Sequence, residues 1–370
     1  MRKIRVLIVD DAVVVRKIVS DTLSSDPDIE VAGVAANGKI GLAKIPQINP
    51  DVITLDIEMP EMDGLQTLAE IRKVYATLPV IMFSTLTEKG GAKTLEALAL
   101  GATDYVTKPA NVGSVSIAMQ RIREELIPKI KSFCAEKAGL QPPPTAKPLP
   151  LPPNAPPPQP YVPKIGFPKG RQKIEVVAIG VSTGGPNALA ELFPVFPADF
   201  PVPILITQHM PPFFTRLLAE RLSSKSNLNI IEGTPNQVLK PGHAWVAPGD
   251  YHMVIERKGS DIVIVNNQNP PENSCRPAVD VMFRSIASIY GAHTLAVVLT
   301  GMGQDGLIGC EHIKGVGGQV VVQDESTSVV WGMPGFVTRA GLADKVLPLK
   351  EIGPEIINLV KMGREIPLRR

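Results

Sequence analysis

Short apolar runs alternate with amphipathic segments in the first part of the chain. The runs that predict strands are residues 5–10, 30–35, 51–56, 79–84 and 104–108. Between them, apolar residues recur every three or four positions, which is the period of a helix with one buried face. Strands that alternate with helices are typical of a parallel sheet covered on both faces. We therefore predict a doubly wound, five-stranded parallel sheet, followed by one more helix.

The second part of the chain repeats this alternation with one interruption. Its predicted strands are residues 174–180, 202–209, 229–233, 243–248, 253–258, 261–266, 294–301 and 318–324. Helical patterns follow the first, second, seventh and last of these strands. In MVIERKGSDIVIVN, two apolar runs flank Gly259, which predicts an antiparallel hairpin. The expected fold is a larger, mostly parallel, doubly wound α/β domain that contains this hairpin.

A proline-rich segment separates the two parts. Residues 141–170 contain 13 prolines in 30 positions. Because proline fixes φ and has no amide hydrogen, this segment can join neither a helix nor a sheet, and we expect an extended spacer. We predict one domain at residues 1–122, a helix end and linker at 123–172, and a second domain at 173–368.

Composition narrows the function class. The 370 residues are 44% hydrophobic with a net charge of +2, which is typical of a globular protein and gives no sign of nucleic-acid binding. The first apolar run is too short for a signal peptide or a membrane span. The three cysteines are far apart, which argues against a disulfide framework or a zinc site. We expect a cytoplasmic protein with neither a nucleic-acid partner nor a membrane-inserted segment.

Polar side chains follow the predicted strands of the first sheet. They are Asp10 and Asp11 after the first strand, Asp56 after the third, Ser84 after the fourth and Lys108 after the fifth. Ligands of open parallel sheets bind beyond the carboxyl ends of the strands. Clustered carboxylates there suit Mg²⁺, and a carboxylate beside Mg²⁺ can accept a phosphoryl group. Any one aspartate could instead be a helix cap, but capping does not account for the whole set.

Residues 1–120 resemble the receiver domain of response regulators. The matching features are the aspartate pair at 10–11, Asp56 followed by IEMPEMDG, Ser84, and Lys-Pro at 108–109. The resemblance implies that Asp56 is the phosphoacceptor and that a phosphohistidine on a partner kinase is the donor. It implies a Mg²⁺ site formed by Asp10, Asp11, Asp56 and the backbone carbonyl of Glu58. It also implies a switch set that responds to phosphorylation: Ser84, Tyr105 and Lys108.

The stretch GVSTGGP, residues 180–186, predicts a second kind of chemistry. It follows a strand, precedes a helical pattern, and fits G-x-S-x-G, in which glycines permit a turn that exposes Ser182. His209 ends the next predicted strand, and Asp305 lies in the loop TGMGQDG after a later strand. If the three side chains converge, His209 takes the serine proton and Asp305 fixes the histidine tautomer.

Two other interpretations stay open from the residues alone. Gly301, Gly303 and Gly306 fit G-x-G-x-x-G after a strand, with Asp324 ending the next strand, which is the pattern of a dinucleotide site. Little chain remains after Asp324 for a second nucleotide-binding half, and Ser182 would then have no role. Alternatively, the chain is a phosphorylation-gated binding module without catalysis, against which the intact serine, histidine and aspartate set argues.

Residues 174–365 resemble the catalytic domain of the chemotaxis protein-glutamate methylesterases, the CheB family. The matching stretches are GVSTGGP, QHMPPFFTRLLAERL, APGD, RPAVDVMF and LTGMGQDGLIG. The resemblance implies a catalytic triad of Ser182, His209 and Asp305. It implies that Thr183 and the backbone amide of Met302 hold the oxyanion, and that the esterase needs no cofactor. The linker is longer and richer in proline than this family leads us to expect.

The same resemblance implies the biological role. We expect hydrolysis of glutamate γ-methyl esters, and deamidation of specific glutamines, on the cytoplasmic helices of methyl-accepting chemoreceptors. Phosphorylation of Asp56 by a histidine kinase would activate the enzyme by uncovering its active site, for adaptation in chemotaxis-type signalling. The expected partners are therefore the receptor substrate and the kinase, and the expected oligomeric state is a monomer.

Overall fold

The computed structural model describes residues 2–108, 115–138, 173–362 and 364. The proline-rich segment 141–170 and Pro109 lie outside the described residues. The chain divides into two compact units, each with its own sheet. Within the described residues, none of the helices combines the length and the apolar character that a membrane span needs.

The first unit contains the predicted five-stranded sheet. Its strands are β1 (Ile4–Val9), β2 (Ile29–Ala35), β3 (Val52–Asp56), β4 (Val80–Ser84) and β5 (Asp104–Thr107). All neighbouring pairs are parallel, in the order β2-β1-β3-β4-β5. Strands β3 and β4 are buried along their whole length, as expected for strands covered on both faces. The predicted architecture of this part is confirmed.

Six helical segments connect and cover this sheet. They are α1 (Val13–Ser24), α2 (Gly38–Ile48), α3 (Gly64–Val74), α4 (Glu88–Ala99), α5 (Val115–Arg121) and α6 (Ile127–Ala138). The wider helical turn Ile122–Leu126 joins α5 to α6. Side chains from Ile122 to Cys134 belong to the same buried core as β1, β3 and α1. The helix that leads toward the linker is therefore anchored in the first unit beyond residue 122.

The second unit contains a seven-stranded parallel sheet and a separate hairpin. The sheet strands are β6 (Val176–Val181), β7 (Ile204–Gln208), β8 (Asn229–Glu232), β9 (His243–Val246), β12 (Thr294–Val298), β13 (Gln319–Gln323) and β14 (Lys345–Leu347). The hairpin pairs β10 (His252–Lys258) with β11 (Asp261–Asn267) in antiparallel register. Both features confirm the predicted fold class. Strand β14 was not predicted, because it is short and mostly exposed and so has no apolar run.

Residues 173–362 of the described structure also form six α-helices. They are α7 (Gly185–Leu192), α8 (Phe214–Ser223), α9 (Val279–Tyr290), α10 (Leu307–Gly315), α11 (Met333–Arg339) and α12 (Leu349–Met362). Helix α9 was not predicted, although its sequence carried the signal. Val279, Met282, Phe283 and Ile286 are buried at helical spacing and belong to the core of the second unit. This helix packs against β6, β10 and α10.

The strand order fixes where a site can form in the second unit. The sheet runs β14-β13-β12-β6-β7-β9-β8, so strands β6 to β9 build one side of the sheet and strands β12 to β14 build the other. The boundary between the two sides is a topological switch point, where ligands of parallel sheets bind beyond the carboxyl ends of the strands. The loops after β12, β6 and β7 are consequently neighbours.

Candidate active site and phosphoacceptor site

Ser182 follows the last residue of β6 and is held by its backbone. Its N–H donates to the carbonyl of Thr300 at 3.0 Å. Its own carbonyl accepts a hydrogen bond from Gln208 Nε2, also at 3.0 Å. The loop after β12 and the end of β7 therefore both fix the turn that presents this half-buried serine.

Gly301 packs directly against Ser182. A Cβ atom at position 301 would lie 2.9 Å from Ser182 Cβ and 2.3 Å from Met333 Sδ, so the close approach requires glycine. Met302 follows Gly301, and Thr183 follows Ser182. The two predicted oxyanion residues thus adjoin a pair of residues in close contact, and their role stays a prediction.

His209 and Asp305 are in direct contact. His209 follows β7, and its Nε2 lies 2.7 Å from Asp305 Oδ2. Asp305 lies between β12 and α10 and is 2% exposed. Because the carboxylate accepts the hydrogen bond, Nε2 carries the ring hydrogen and Nδ1 is the nitrogen left to act as a base.

The thiol of Cys275 lies near that base nitrogen. Its Sγ is 3.6 Å from His209 Nδ1. Within the described ranges, Ser182 Oγ forms no hydrogen bond to the ring. Serine–histidine contacts of hydrolases are often long in the absence of substrate. The structure therefore joins two members of the predicted triad and places the third at the carboxyl end of the adjacent strand. Sequence reasoning gave Cys275 no role.

The side chains around His209 favour the charged form of its imidazole ring. Burial alone would lower the pKa of His209, but the Cys275 and Asp305 side chains offset burial and raise the pKa well above the usual histidine value. Burial would raise the pKa of Asp305, yet its contacts with His209 and with backbone amides keep that pKa below its usual range. The pair is thus suited to stabilise the imidazolium that forms when the histidine takes a proton.

Two further residues that sequence reasoning missed surround Asp305. Asp280 lies within RPAVDVMF in the first turn of α9, and Asn273 lies in the loop before it. The side-chain amide of Asn273 donates to both aspartates. Burial, together with the negative charge of Asp305, raises the pKa of Asp280 to about 7. The sequence carried one signal for Asp280, which is an aspartate among the apolar residues of RPAVDVMF.

The loop that contains Gly301, Gly303 and Gly306 makes contacts that disfavour the dinucleotide interpretation. Gly306 is the N-cap of α10 and has a φ of 95°, a conformation that favours glycine. The N–H groups at the start of this helix, which would have to hold a pyrophosphate, already donate to the carboxylates of Asp280 and Asp305. Asp324 binds Ser326 and Thr327 in its own turn.

The predicted metal ligands of the first unit lie together. Oxygen atoms of Asp10, Asp11 and Asp56 are all within 4.8 Å of one another. Asp10 Oδ2 is buried and, among the described residues, has no hydrogen-bond partner. The Glu58 N–H donates to Asp56 Oδ1 at 3.3 Å, which keeps residue 58 beside the cluster. An all-oxygen set, in which Asp10 Oδ2 accepts no hydrogen bond from the described residues and has the Lys108 ammonium near it, fits a hard divalent cation such as Mg²⁺.

Lys108 contacts the same cluster. Its Nζ lies 2.6 Å from Asp56 Oδ2 and 3.4 Å from Asp10 Oδ2. Burial raises the pKa of Asp56 to about 6, with the Lys108 hydrogen bond acting in the opposite direction and the Asp10 charge adding to the rise. The lysine charge partly neutralises a buried carboxylate that would otherwise be costly to ionise.

The other two predicted switch residues lie on the adjacent strands. Ser84 ends β4, its hydroxyl donates to the Gly90 carbonyl at 3.2 Å, and its Oγ accepts from Thr94 Oγ1 at 2.6 Å. Tyr105 on β5 is buried, and Lys129 Nζ lies 5.5 Å from its ring centroid. In the sheet register Asp56 is level with Phe83 and Val106, so Ser84 and Tyr105 each lie one residue from the level of Asp56. Their response to phosphorylation stays a prediction.

Comparisons with known families divide the chain in the same way. The family described as CheB methylesterase matches residues 177–356. The family described as response regulator receiver domain matches residues 6–120. Each match covers one of the two sheets described above.

Whole-chain relatives and a solved structure agree with these matches. The protein-glutamate methylesterase/protein-glutamine glutaminase of Trichodesmium erythraeum is 55% identical over 360 residues, which is 97% of this chain and 100% of that protein. The protein of the same name from a Nocardioides species is 49% identical and covers 99% of this chain and 98% of its own length. The crystal structure of the Thermotoga maritima CheB methylesterase catalytic domain is 42% identical, with a TM-score of 0.50, over 51% of this chain and 100% of that domain.

Proposed function

Since the chain belongs to the CheB methylesterase family and carries a response regulator receiver domain, we propose that it hydrolyses glutamate γ-methyl esters on the cytoplasmic helices of chemoreceptors. The same site deamidates specific glutamines there. The relatives named above carry both activities in their names, which supports the proposal. In the proposed division, residues 1–122 are the receiver, 123–172 the linker and 173–368 the esterase of a cytoplasmic monomer.

The contact between His209 and Asp305 is the observation that carries the proposed mechanism. His209 Nδ1 takes the proton of Ser182 as Oγ attacks the ester carbonyl, and Asp305 stabilises the imidazolium. Thr183 and the Met302 amide hold the oxyanion. The imidazolium then protonates departing methanol. Water, activated by the same nitrogen, releases glutamate and restores the Ser182 hydroxyl.

The receiver part of the proposal rests on the carboxylate cluster around Asp56. Asp10, Asp11, Asp56 and the Glu58 carbonyl would hold Mg²⁺, which neutralises charge on an incoming phosphoryl group. Asp56 accepts the phosphoryl group from a phosphohistidine of the partner kinase, and Lys108 provides a positive charge for its oxygens. Phosphorylation shifts the chain toward a more active population, for which Ser84 and Tyr105 are the proposed switch residues.

The direct test is methanol release from a methylated chemoreceptor fragment. We expect the wild-type chain to release methanol and Ser182→Ala to lose several powers of ten in rate. Ser285→Ala is the matched control, because Ser285 is a half-buried serine of the same unit that hydrogen-bonds within α9. Near-full activity of Ser182→Ala would show that this serine is not the nucleophile.

Activation needs a separate experiment on the full chain. A small-molecule phosphodonor with Mg²⁺ should raise methanol release by the wild-type chain but leave Asp56→Asn at its basal rate. A chelator should remove the stimulation without affecting the basal rate, because the proposed ester chemistry uses protein groups alone and no metal ion. Equal stimulation of both proteins would contradict the role of Asp56.

A further inference from the structure

Two buried aspartates cap each other's helices beside the proposed triad. Asp305, which precedes α10, accepts the N–H groups of Val279 at 2.6 Å and Asp280 at 3.0 Å, the first two residues of α9. Asp280 in turn accepts the N–H groups of Gly306 at 3.0 Å and Gly309 at 2.6 Å, at the start of α10. Because amides at a helix start carry partial positive charge, each helix stabilises the other's carboxylate.

The two carboxylates also share donors. The Gly306 N–H lies 3.0 Å from Oδ1 of both Asp305 and Asp280. The Asn273 side-chain amide lies 2.9 Å from Asp280 Oδ2 and 3.0 Å from Asp305 Oδ1. These contacts occupy Oδ1 of Asp305, and Oδ2 is the oxygen that faces His209. The orientation of the catalytic carboxylate therefore depends on Asp280 and Asn273.

We propose that Asp280, with Asn273 as its link, is a positioning residue that fixes the orientation of the Asp305 carboxylate and thereby the tautomer of His209. This inference rests on the proposed triad. Asp280 is 1% exposed, and it acts through Asp305 rather than on the substrate. Removing it should lower kcat and leave KM unchanged, because substrate binding does not depend on the carboxylate's orientation.

A merely structural role for Asp280 makes a different prediction. If Asp280 only caps α10, its replacement lowers the free energy of unfolding by about 1 kcal/mol and leaves the chemistry intact. In Asp280→Asn the side chain keeps one acceptor oxygen. Its NH₂ group must then face either the Asn273 amide or the N–H groups of α10, so a donor meets a donor in both orientations. Under our proposal this conflict is transmitted to Asp305.

The test compares Asp280→Asn and Asn273→Gly with the wild-type full chain; glycine is used because residue 273 has a φ of 52°, at which alanine would strain the backbone. Asp344→Asn is the control, because Asp344 also accepts a backbone N–H in the same unit, from Val320 at 2.7 Å. We expect both variants near the site to lose about tenfold to a hundredfold in kcat, as is typical for residues that orient a reactive group. At a pH above the raised pKa of His209, where the ring is neutral, its ¹⁵N NMR signals should show a smaller fraction of the Nε2–H tautomer, whereas Asp344→Asn should leave kcat and tautomer unchanged.

Wild-type kcat and an unchanged tautomer in both variants would overturn the proposal, whatever happens to the melting temperature. If Asp280→Asn does not fold, Asn273→Gly decides, because Asn273 lies on the surface, glycine adopts its φ of 52° without strain, and the change removes neither carboxylate. Ser182→Ala is measured alongside. An active Ser182→Ala refutes the triad, whereas an inactive one beside a fully active Asp280→Asn refutes only the positioning role. The tautomer measurement does not depend on turnover.

Discussion

Replacing Asp305 by asparagine should disable the enzyme through the tautomer of His209. Asp305 Oδ2 faces two donors, His209 Nε2 and the Val279 N–H, and Oδ1 faces three, from Asn273, Asp280 and Gly306. An asparagine must turn its NH₂ group toward one of these sets. Facing three fixed donors is the costlier choice, so the NH₂ group should face His209.

That orientation places the histidine proton on the wrong nitrogen. The NH₂ group of the introduced asparagine forces Nε2 to become an acceptor, so Nδ1 carries the hydrogen and cannot take the proton of Ser182. An equivalent tautomer change in a serine protease costs about 10⁴ in kcat, or about 5.4 kcal/mol of activation free energy. The Val279 N–H also loses its acceptor, which should lower the free energy of unfolding by about 1–3 kcal/mol.

Methanol release and ¹⁵N NMR of the His209 ring test this reasoning together, with Asp344→Asn as the control for replacing an aspartate that binds a backbone amide. We expect a folded Asp305→Asn protein with kcat about ten-thousandfold lower and the Nδ1–H tautomer dominant. A loss of less than tenfold, or an unchanged Nε2–H tautomer, would refute the argument.

Three further predictions concern His209, Asp56 and Gly301. His209 acts as a base only when it is neutral, and its pKa is raised. Methanol release should therefore increase with pH through a midpoint above about 6.5. Cys275→Ala, which removes one of the side chains that raise this pKa, should lower that midpoint. An unmoved midpoint would contradict the role of the thiol. Burial raises the pKa of Asp56 to about 6 without a bound metal, so the affinity of the site for Mg²⁺ should decline as pH falls through 6, since the protonated carboxyl binds Mg²⁺ poorly; an affinity that does not change from pH 5 to 8 would contradict this. Gly301→Ala should reduce kcat, because its Cβ would lie 2.9 Å from Ser182 Cβ. Gly259→Ala, with a φ of 63° and open space around it, strains only its own hairpin turn and should leave kcat unchanged; equal rates for both would refute the packing argument.

The alternation of apolar runs and helical patterns was sufficient to predict both sheets. Buried parallel strands are nearly continuous apolar runs, so β3, β4 and β6 were evident. Strand β14 was missed because a short edge strand with exposed side chains has no such run. Helix α9 was missed although its apolar residues have helical spacing, because RPAVDVMF, which contains its start, was interpreted only as a family motif. Both family resemblances noted from the sequence, and the enzyme class that they imply, are confirmed.

The sequence predicted those site residues that lie at the end of a strand or in the loop after it. The rule that parallel strands place their following loops at one edge located Ser182, His209 and Asp305 at one end of the same sheet. The rule cannot show what else reaches that edge from distant parts of the chain. Cys275 and Asn273 arrive on a loop whose path depends on the hairpin and on the packing of α9. Their contacts with His209 and Asp305 could therefore be found only in three dimensions.

The position of a covalent label shows directly which side chain is the nucleophile. A fluorophosphonate reacts with an activated serine, and peptide mapping by mass spectrometry identifies the modified residue. The proposed triad predicts one label on Ser182 and a loss of methanol release in proportion to labelling. It also predicts little labelling of the His209→Ala variant. Labelling of Cys275, whose thiol lies 3.6 Å from the same histidine nitrogen, or undiminished methanol release after Ser182 is modified, would contradict it.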